Sequence, residues 1–296
     1  MTTLPAQIDG VENAHLPERP LHLAIGVFDG VHRGHRAVVQ AAVEAARAAG
    51  GIAGVLTFWP HPSALFRPEQ PTLLMQDAPM KARMLLALGV DAVITQAFPL
   101  ELAAVEAEAF LPWLKRHMPA LAAVYGGENF RLGRGRRGDV ALLKTSGQEH
   151  GVRVFSAPRV TRDGEAISST RIRALLGAGD VEAANSLLGY TYFAEGVVTP
   201  GRQLGRTIGF PTLNVSWAPQ VRPRLGVYAV RVRSAKAPDG LPGVANYGVR
   251  PTVEAATEPR LEVHVLGACP VGEGDAVQVE WLRFLRPEMK FASLDE

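Results

Sequence analysis

The sequence predicts two folds in tandem: a parallel α/β sheet wrapped by helices, then a small antiparallel β-barrel. Three observations carry this. Short apolar runs alternate with helical patterns through the first half, as strand–helix–strand crossovers require. From about Tyr190 helical periodicity disappears. Closely spaced strand-like runs follow, punctuated at Pro200-Gly201, Pro223, Pro238-Asp239-Gly240, Pro242-Gly243 and Gly272. Between the first apolar run and the first helix stand residues 26–35, Gly-Val-Phe-Asp-Gly-Val-His-Arg-Gly-His, a glycine turn that ends on two histidines. The boundary is expected after a helix pair at 169–177 and 180–188, giving domains 1–188 and 189–296.

The elements follow from local pattern. Met1 to Pro20 carries Pro5, Pro17 and Pro20 with several acids and reads as a lead-in over the surface; it lacks the basic and apolar regions of a secretory signal. Strands are expected at 21–28, 52–58, 91–96, 120–125 and 151–156, and helices at 35–49, 79–88, 101–118 and 139–149. The first helix has an apolar stripe of Val38, Val39, Ala42, Val43 and Ala46, and Gly50-Gly51 ends it. Second-half strands are expected at 192–198, 226–233, 243–246, 260–266 and 276–285.

Composition excludes several classes. The 296 residues are 47% hydrophobic and 20% charged, as in an ordinary globular chain. A formal charge of +2 gives no compositional case for nucleic acid or membranes. The single cysteine, Cys269, excludes an intramolecular disulfide and a cysteine-rich zinc site, and fits a cytoplasmic location. No stretch approaches the ~18 apolar residues of a membrane span.

Ligands of a parallel sheet bind at the carboxyl ends of its strands, where the first histidine pair falls. His32 and His35, three apart in a first helical turn, lie on one side beside unpaired amides, a place suited to anions. Gly34 removes the side chain that would keep a nucleotide off the backbone. Thr57-Phe-Trp-Pro-His-Pro62 makes a stiff loop at a second strand end; read alone it is only a rigid turn. After the fourth strand comes Tyr125-Gly-Gly-Glu-Asn-Phe-Arg131, whose Asn129 offers donor and acceptor to a ring edge. Gly133 to Gly138 spells G-x-G-x-x-G but stands too far beyond the strand for a dinucleotide fingerprint. The arginines of 131–137 read equally as an anion-facing flap or a solvated loop. Ile167-Ser-Ser-Thr-Arg-Ile-Arg173 opens a helix on hydroxyls, with Ser168 or Ser169 as N-cap and Arg173 as a second phosphate-facing group. No P-loop motif occurs.

In the second half, Gly201 to Asn214 contains Pro211-Thr-Leu-Asn214. Thr212 and Asn214 are two apart, so in an extended chain they point the same way, and their oxygens are hard ligands suited to Mg2+ on a nucleotide. Gly226-Val-Tyr-Ala229, Gly243 to Thr252 and Leu261-Glu-Val-His-Val-Leu266 complete the set. In the last, Glu262 and His264 share one strand face.

The first-half motifs together resemble the FMN adenylyltransferase half of the bacterial bifunctional riboflavin kinase/FAD synthetase family, and the second-half motifs resemble its riboflavin kinase module. The resemblance implies a Rossmann-like nucleotidyltransferase domain and a kinase barrel, with riboflavin, FMN, FAD and ATP as substrates or products and Mg2+ as cofactor. It implies ATP contacts at Gly26, Phe28, Asp29, Gly30, His32, Gly34, His35, Ser169 and Arg173, with His32 and His35 catalytic. Flavin contacts are implied at Phe58 and Asn129, Mg-ATP at Thr212 and Asn214, and a general base at Glu262. The partners implied are these small molecules, with a homo-oligomer or a transient apo-flavoprotein contact beside them. Leu132 stands where the family often has Phe, and Gly267 to Gly274 departs from its acidic-aromatic segment. The chain stops at Glu296, where the family continues into a C-terminal helix that Ser293 would cap. These departures set the alternative: an adenylyltransferase with a weakened kinase module.

Overall fold

The computed structural model describes residues 3–201, 211–249 and 258–289. Most of the Gly201 to Asn214 motif before Pro211, Thr252 and the Ser293 cap lie outside the described residues. The chain divides into two compact units, Met1–Ser169 and Thr170–Glu296, so the pair of helices after the hydroxyl run goes almost wholly with the second.

The first unit is built on six parallel strands: β1 (Ala6–Asp9), β2 (Leu21–Ile25), β3 (Ile52–Phe58), β4 (Ala92–Gln96), β5 (Leu121–Gly127) and β6 (Arg153–Ala157). Their spatial order is β1-β4-β3-β2-β5-β6. From β2 the chain winds one way to β3 and β4, then returns to lay β5 and β6 on the other side. The switch point is therefore between β2 and β5, where such sheets open their ligand crevice. Both faces are covered. Leu21, Leu23, Ile25, Leu56 and Ile94 pack on α5 (Phe110–His117) through Leu111 and Leu114. Ala24, Ala53 and Ala123 meet Val39, Ala42 and Ala46 of α1 (Arg33–Ala48) on the opposite face. With both faces buried, every position of β2 is buried, and all but His22 are apolar.

Two expectations are corrected here. The lead-in is not a surface segment: Ala6–Asp9 forms the edge strand beside β4, and Ile8 and Val11 enter the core. The helix expected at 101–118 breaks into α4 (Leu100–Ala103) and α5. Pro112 is tolerated only in a first turn, so the helix restarts at Phe110. In the gap, the Val105 carbonyl accepts from the Arg134 amide (2.8 Å). The remaining helices are α2 (Ser63–Phe66), α3 (Ala78–Leu86) and α6 (Val140–His150), and β7 (Thr161–Arg162) pairs with β8 (Glu165–Ala166).

The second unit holds α7 (Ser169–Ala178) from its second residue, α8 (Val181–Leu188) and a closed barrel. Its strands are β9 (Phe193–Thr199), β10 (Thr212–Ser216), β11 (Gly226–Ser234), β12 (Ala237–Gly248), β13 (Arg260–Val265) and β14 (Ala276–Arg286). They close in the order β10-β13-β12-β11-β14-β9, antiparallel throughout. Tyr228, Tyr247 and Trp281 fill the interior, Trp281 lying edge-on to both tyrosines. Pro238 and Pro242, read as turn signals, are instead within β12. There the strand pairs only with β11, because β13 joins from Gly243 onward, and an edge admits proline.

Candidate active sites

The first site grows from the turn after β2. Phe28 and Val31 adopt left-handed backbone (φ 52° and 38°), unusual for such side chains, and so must be held by their surroundings. They are. Thr57 Oγ1 donates to the Val27 carbonyl (2.9 Å), as does Lys81 Nζ (3.0 Å). Asp29 Oδ1 accepts from the Met75 amide (2.8 Å), and Gln76 Oε1 accepts from the Gly30 amide (2.9 Å). Ser169 Oγ donates to the Asp29 carbonyl (2.8 Å). Strand β3, the segment before α3 and the hydroxyl run thus grip one turn.

His32 is the N-cap of α1: its Nδ1 accepts from the His35 amide (3.3 Å). In the neutral ring the proton therefore sits on Nε2, as a donor. The two imidazoles stack with centroids 3.5 Å apart, and Phe28 lies edge-on to His35. A Cβ on Gly34 would come within 3.2 Å of the His32 ring, so glycine leaves room for that ring. Burial pushes His32 down to about 4. It pushes His35 well below the ordinary imidazole range, helped by the charges of His32 and Lys81. The pair is therefore neutral near pH 7, each ring keeping one N–H to donate. His35 Nδ1 is buried with no hydrogen-bond partner.

Beside the crevice, a cavity of about 470 Å3 is lined by Gly26, Phe58, Phe66, Phe98, Asn129 and Phe130, with Arg67, Arg131 and Arg136 among its other walls. Asn129 Oδ1 accepts from Arg159, which also pairs with Glu128 (2.7 Å). A guanidinium only donates, so it fixes the amide with its oxygen engaged and its NH2 available. Gly133 and Gly138 serve packing: a Cβ on Gly133 would meet the Ala107 backbone at 2.5 Å, at a φ of 71°, and one on Gly138 would meet the Ala107 side chain at 2.6 Å. Arg173 stands on α7 in the second unit.

In the barrel, Thr212 faces His264 and Asn214 faces Glu262 across β10 and β13, with Asn246 opposite Glu262 on the other side. Directly paired residues share a sheet face, so these five side chains stand together on the outside, while Leu261, Val263 and Val265 point inward. Thr212 borders two cavities. One, about 430 Å3, holds Asn214, Gly201, Cys269 and Glu273; the other, about 300 Å3, holds Glu262, His264, Asn246 and Arg286. Among the described residues no three His, Cys, Asp or Glu side chains group to hold a metal.

Sequence reasoning missed Lys81, Gln76, Arg159 and Asn246. Lys81 left a trace: it occupies the same helical stripe as Ala82 and Leu85, where an apolar residue is expected.

Comparison with known proteins decides the family. A family model described as FAD synthetase matches residues 16–171, and one described as riboflavin kinase matches 188–296. The chain belongs to the bifunctional riboflavin kinase/FMN adenylyltransferase family. The family protein of Escherichia coli K12 is 40% identical over 98% of this chain and 92% of its own length. That of Haemophilus influenzae is 35% identical over 98% and 93%. A crystal structure described as a macrolide-efflux protein from Streptococcus pneumoniae is 28% identical, covers 98% of this chain and 93% of that one, and superposes with a TM-score of 0.87. Among the described residues no helix is long and apolar enough to cross a membrane. The riboflavin kinase match runs through 267–274, the segment that suggested a weakened kinase, and nothing in the comparisons favours that alternative.

Proposed function

We propose that the first unit adenylylates FMN to FAD at the His32–His35 turn and that the barrel phosphorylates riboflavin to FMN at Thr212, Asn214 and Glu262. The observation that carries the first half is the histidine pair at the β2/β5 switch point, next to an aromatic-lined cavity of flavin size. The FMN phosphate is already anionic, so its oxygen attacks the α-phosphorus of ATP without a base, and pyrophosphate leaves. His32 Nε2–H and the first amides of α1 then stabilise charge on the triphosphate. Phe58 and its aromatic neighbours hold the isoalloxazine, and the Asn129 NH2 donates to an acceptor of the flavin.

In the barrel, Glu262 takes the proton of the riboflavin 5′-hydroxyl as that oxygen attacks the γ-phosphorus, and ADP leaves. Thr212 borders both cavities, which supports nucleotide on the Asn214 side and flavin on the Glu262 side. The hydroxyl and amide oxygens of Thr212 and Asn214 fit Mg2+ only with phosphate oxygens completing the shell. The ion, when bound, neutralises charge along the triphosphate. The enzyme acts on small molecules through a separate site in each unit, with the cytoplasm as its compartment. The test is the His32→Ala, His35→Ala double variant, assayed with riboflavin, ATP and Mg2+ and with flavins separated. FMN should accumulate and FAD should be absent; loss of both products in a folded protein refutes separate sites.

A further inference from the structure

The turn that carries His32 and His35 rests on a buried cation that neither the motifs nor the family comparison assigns. Lys81 is 1% exposed, on the inner stripe of α3. Its Nζ donates to the Val27 carbonyl and to the Phe58 carbonyl, each at 3.0 Å. These carbonyls close the ends of β2 and β3, the two strands whose loops bound the nucleotide crevice and the aromatic cavity. An ammonium is costly to bury, and two backbone acceptors offset only part of that cost. A helix position beside Ala82 and Leu85 would hold leucine or methionine more stably, so a charge kept there points to a use for it.

We propose that Lys81 is a positioning residue of the adenylyl-transfer site, tying the ends of β2 and β3 under the Val27–Val31 turn and holding a fixed positive charge next to His35. The inference rests on the reading of this site given above. Both histidines are neutral, so Lys81 supplies standing positive potential to a triphosphate placed there without itself touching the reacting atoms. Burial lowers it to about 8, opposed by the Asp29 carboxylate; Asp29 in the turn and His35 on α1 are the titratable groups acting on it. A neutral amine keeps two N–H donors, so the tether outlasts the charge. That separates the electrostatic role from the mechanical one.

The experiment follows FAD formation from supplied FMN and ATP by the full chain across about pH 7 to 9.5, with riboflavin phosphorylation as the internal reference. In the unaltered protein, kcat/KM for ATP should fall with one ionisation near pH 8 in the adenylyl transfer only. Lys81→Met should lower that parameter about tenfold or more near pH 7 and remove the alkaline limb. Lys81→Arg, which keeps its proton throughout, should recover part of the rate and also lack the limb. If Lys81→Met fails to fold, the unaltered chain's profile decides. A rate independent of pH up to about 9.5, or a Lys81→Met variant with unaltered kinetics, overturns the proposal. Full FAD formation by the His32→Ala, His35→Ala double variant would instead overturn the site reading, and the proposal with it.

Discussion

His32 should make the first unit acid-sensitive, and the size of the effect follows from its burial. The folded imidazole titrates at about 4 and an ordinary one at 6.5. With the folded value depressed, the unfolded chain binds more protons below 6.5, so stability is full above that value and is lost as pH falls toward 4. At about pH 5 the unfolded ring is mostly charged and the folded one mostly neutral, which costs about 2 kcal/mol. His32→Asn keeps an N-cap acceptor for the His35 amide but cannot titrate. The assay is hydrogen exchange in urea of the α1 and β2 amides, at about pH 7 and about pH 5, corrected for intrinsic exchange. The unaltered unit should lose about 2 kcal/mol more than the variant between the two conditions. Equal losses would show that His32 is not held neutral by burial, and the argument for a donating, uncharged histidine pair would fall.

Four further outcomes are expected. Glu262→Gln keeps shape but not basicity, so riboflavin phosphorylation should drop on the order of 100-fold in kcat while FAD formation from FMN persists. Thr212→Ala or Asn214→Ala should raise KM for Mg-ATP in the kinase step alone; undiminished phosphorylation in any of these variants removes that residue from the site. Arg159→Met releases the Asn129 amide, and the KM for FMN should rise roughly fivefold, the equivalent of about one hydrogen bond, without a change in riboflavin phosphorylation. Trp281→Ala empties the centre of the barrel and should cost about 3–5 kcal/mol in urea unfolding of the second unit, with the first unit's transition unmoved.

What could be read beforehand was whatever repeats along the chain. The β2 run, the alanine stripe of α1 and the in–out alternation of Leu261 to Val265 each encode their own burial, and the structure places them accordingly. The four-residue β1 has too few positions to show a period, and prolines at 5 and 17 disguised it. Pro112 marks the first turn of α5, a local sign of the break from α4 that a helix spanning 101–118 passes over. The site divides the same way. His32, His35, Thr212 and Asn214 sit in compact motifs. Lys81, Gln76 and Arg159 act across long stretches of chain that leave no local pattern: Lys81 lies 54 residues from Val27, Gln76 lies 46 from Gly30, and Arg159 lies 30 from Asn129.

A turn gripped from so many directions has little freedom left to lose. Amides and carbonyls from Val27 to Gly30 are already committed to Thr57, Lys81, Gln76 and Ser169, and the left-handed residues cannot relax without breaking those bonds. On the function proposed above, a nucleotide arriving here meets a turn already held in place, so little ordering of it would be subtracted from the affinity. Any closing motion that follows must come from other parts of the unit. The segment from Arg131 to Arg137 crosses the rim of the aromatic cavity with its arginines largely exposed, so its side chains are able to settle on a ligand there. Amide exchange at Gly30 and Val31 would then be slow before ligand arrives and unchanged afterwards, while exchange along the arginine loop would report the binding event.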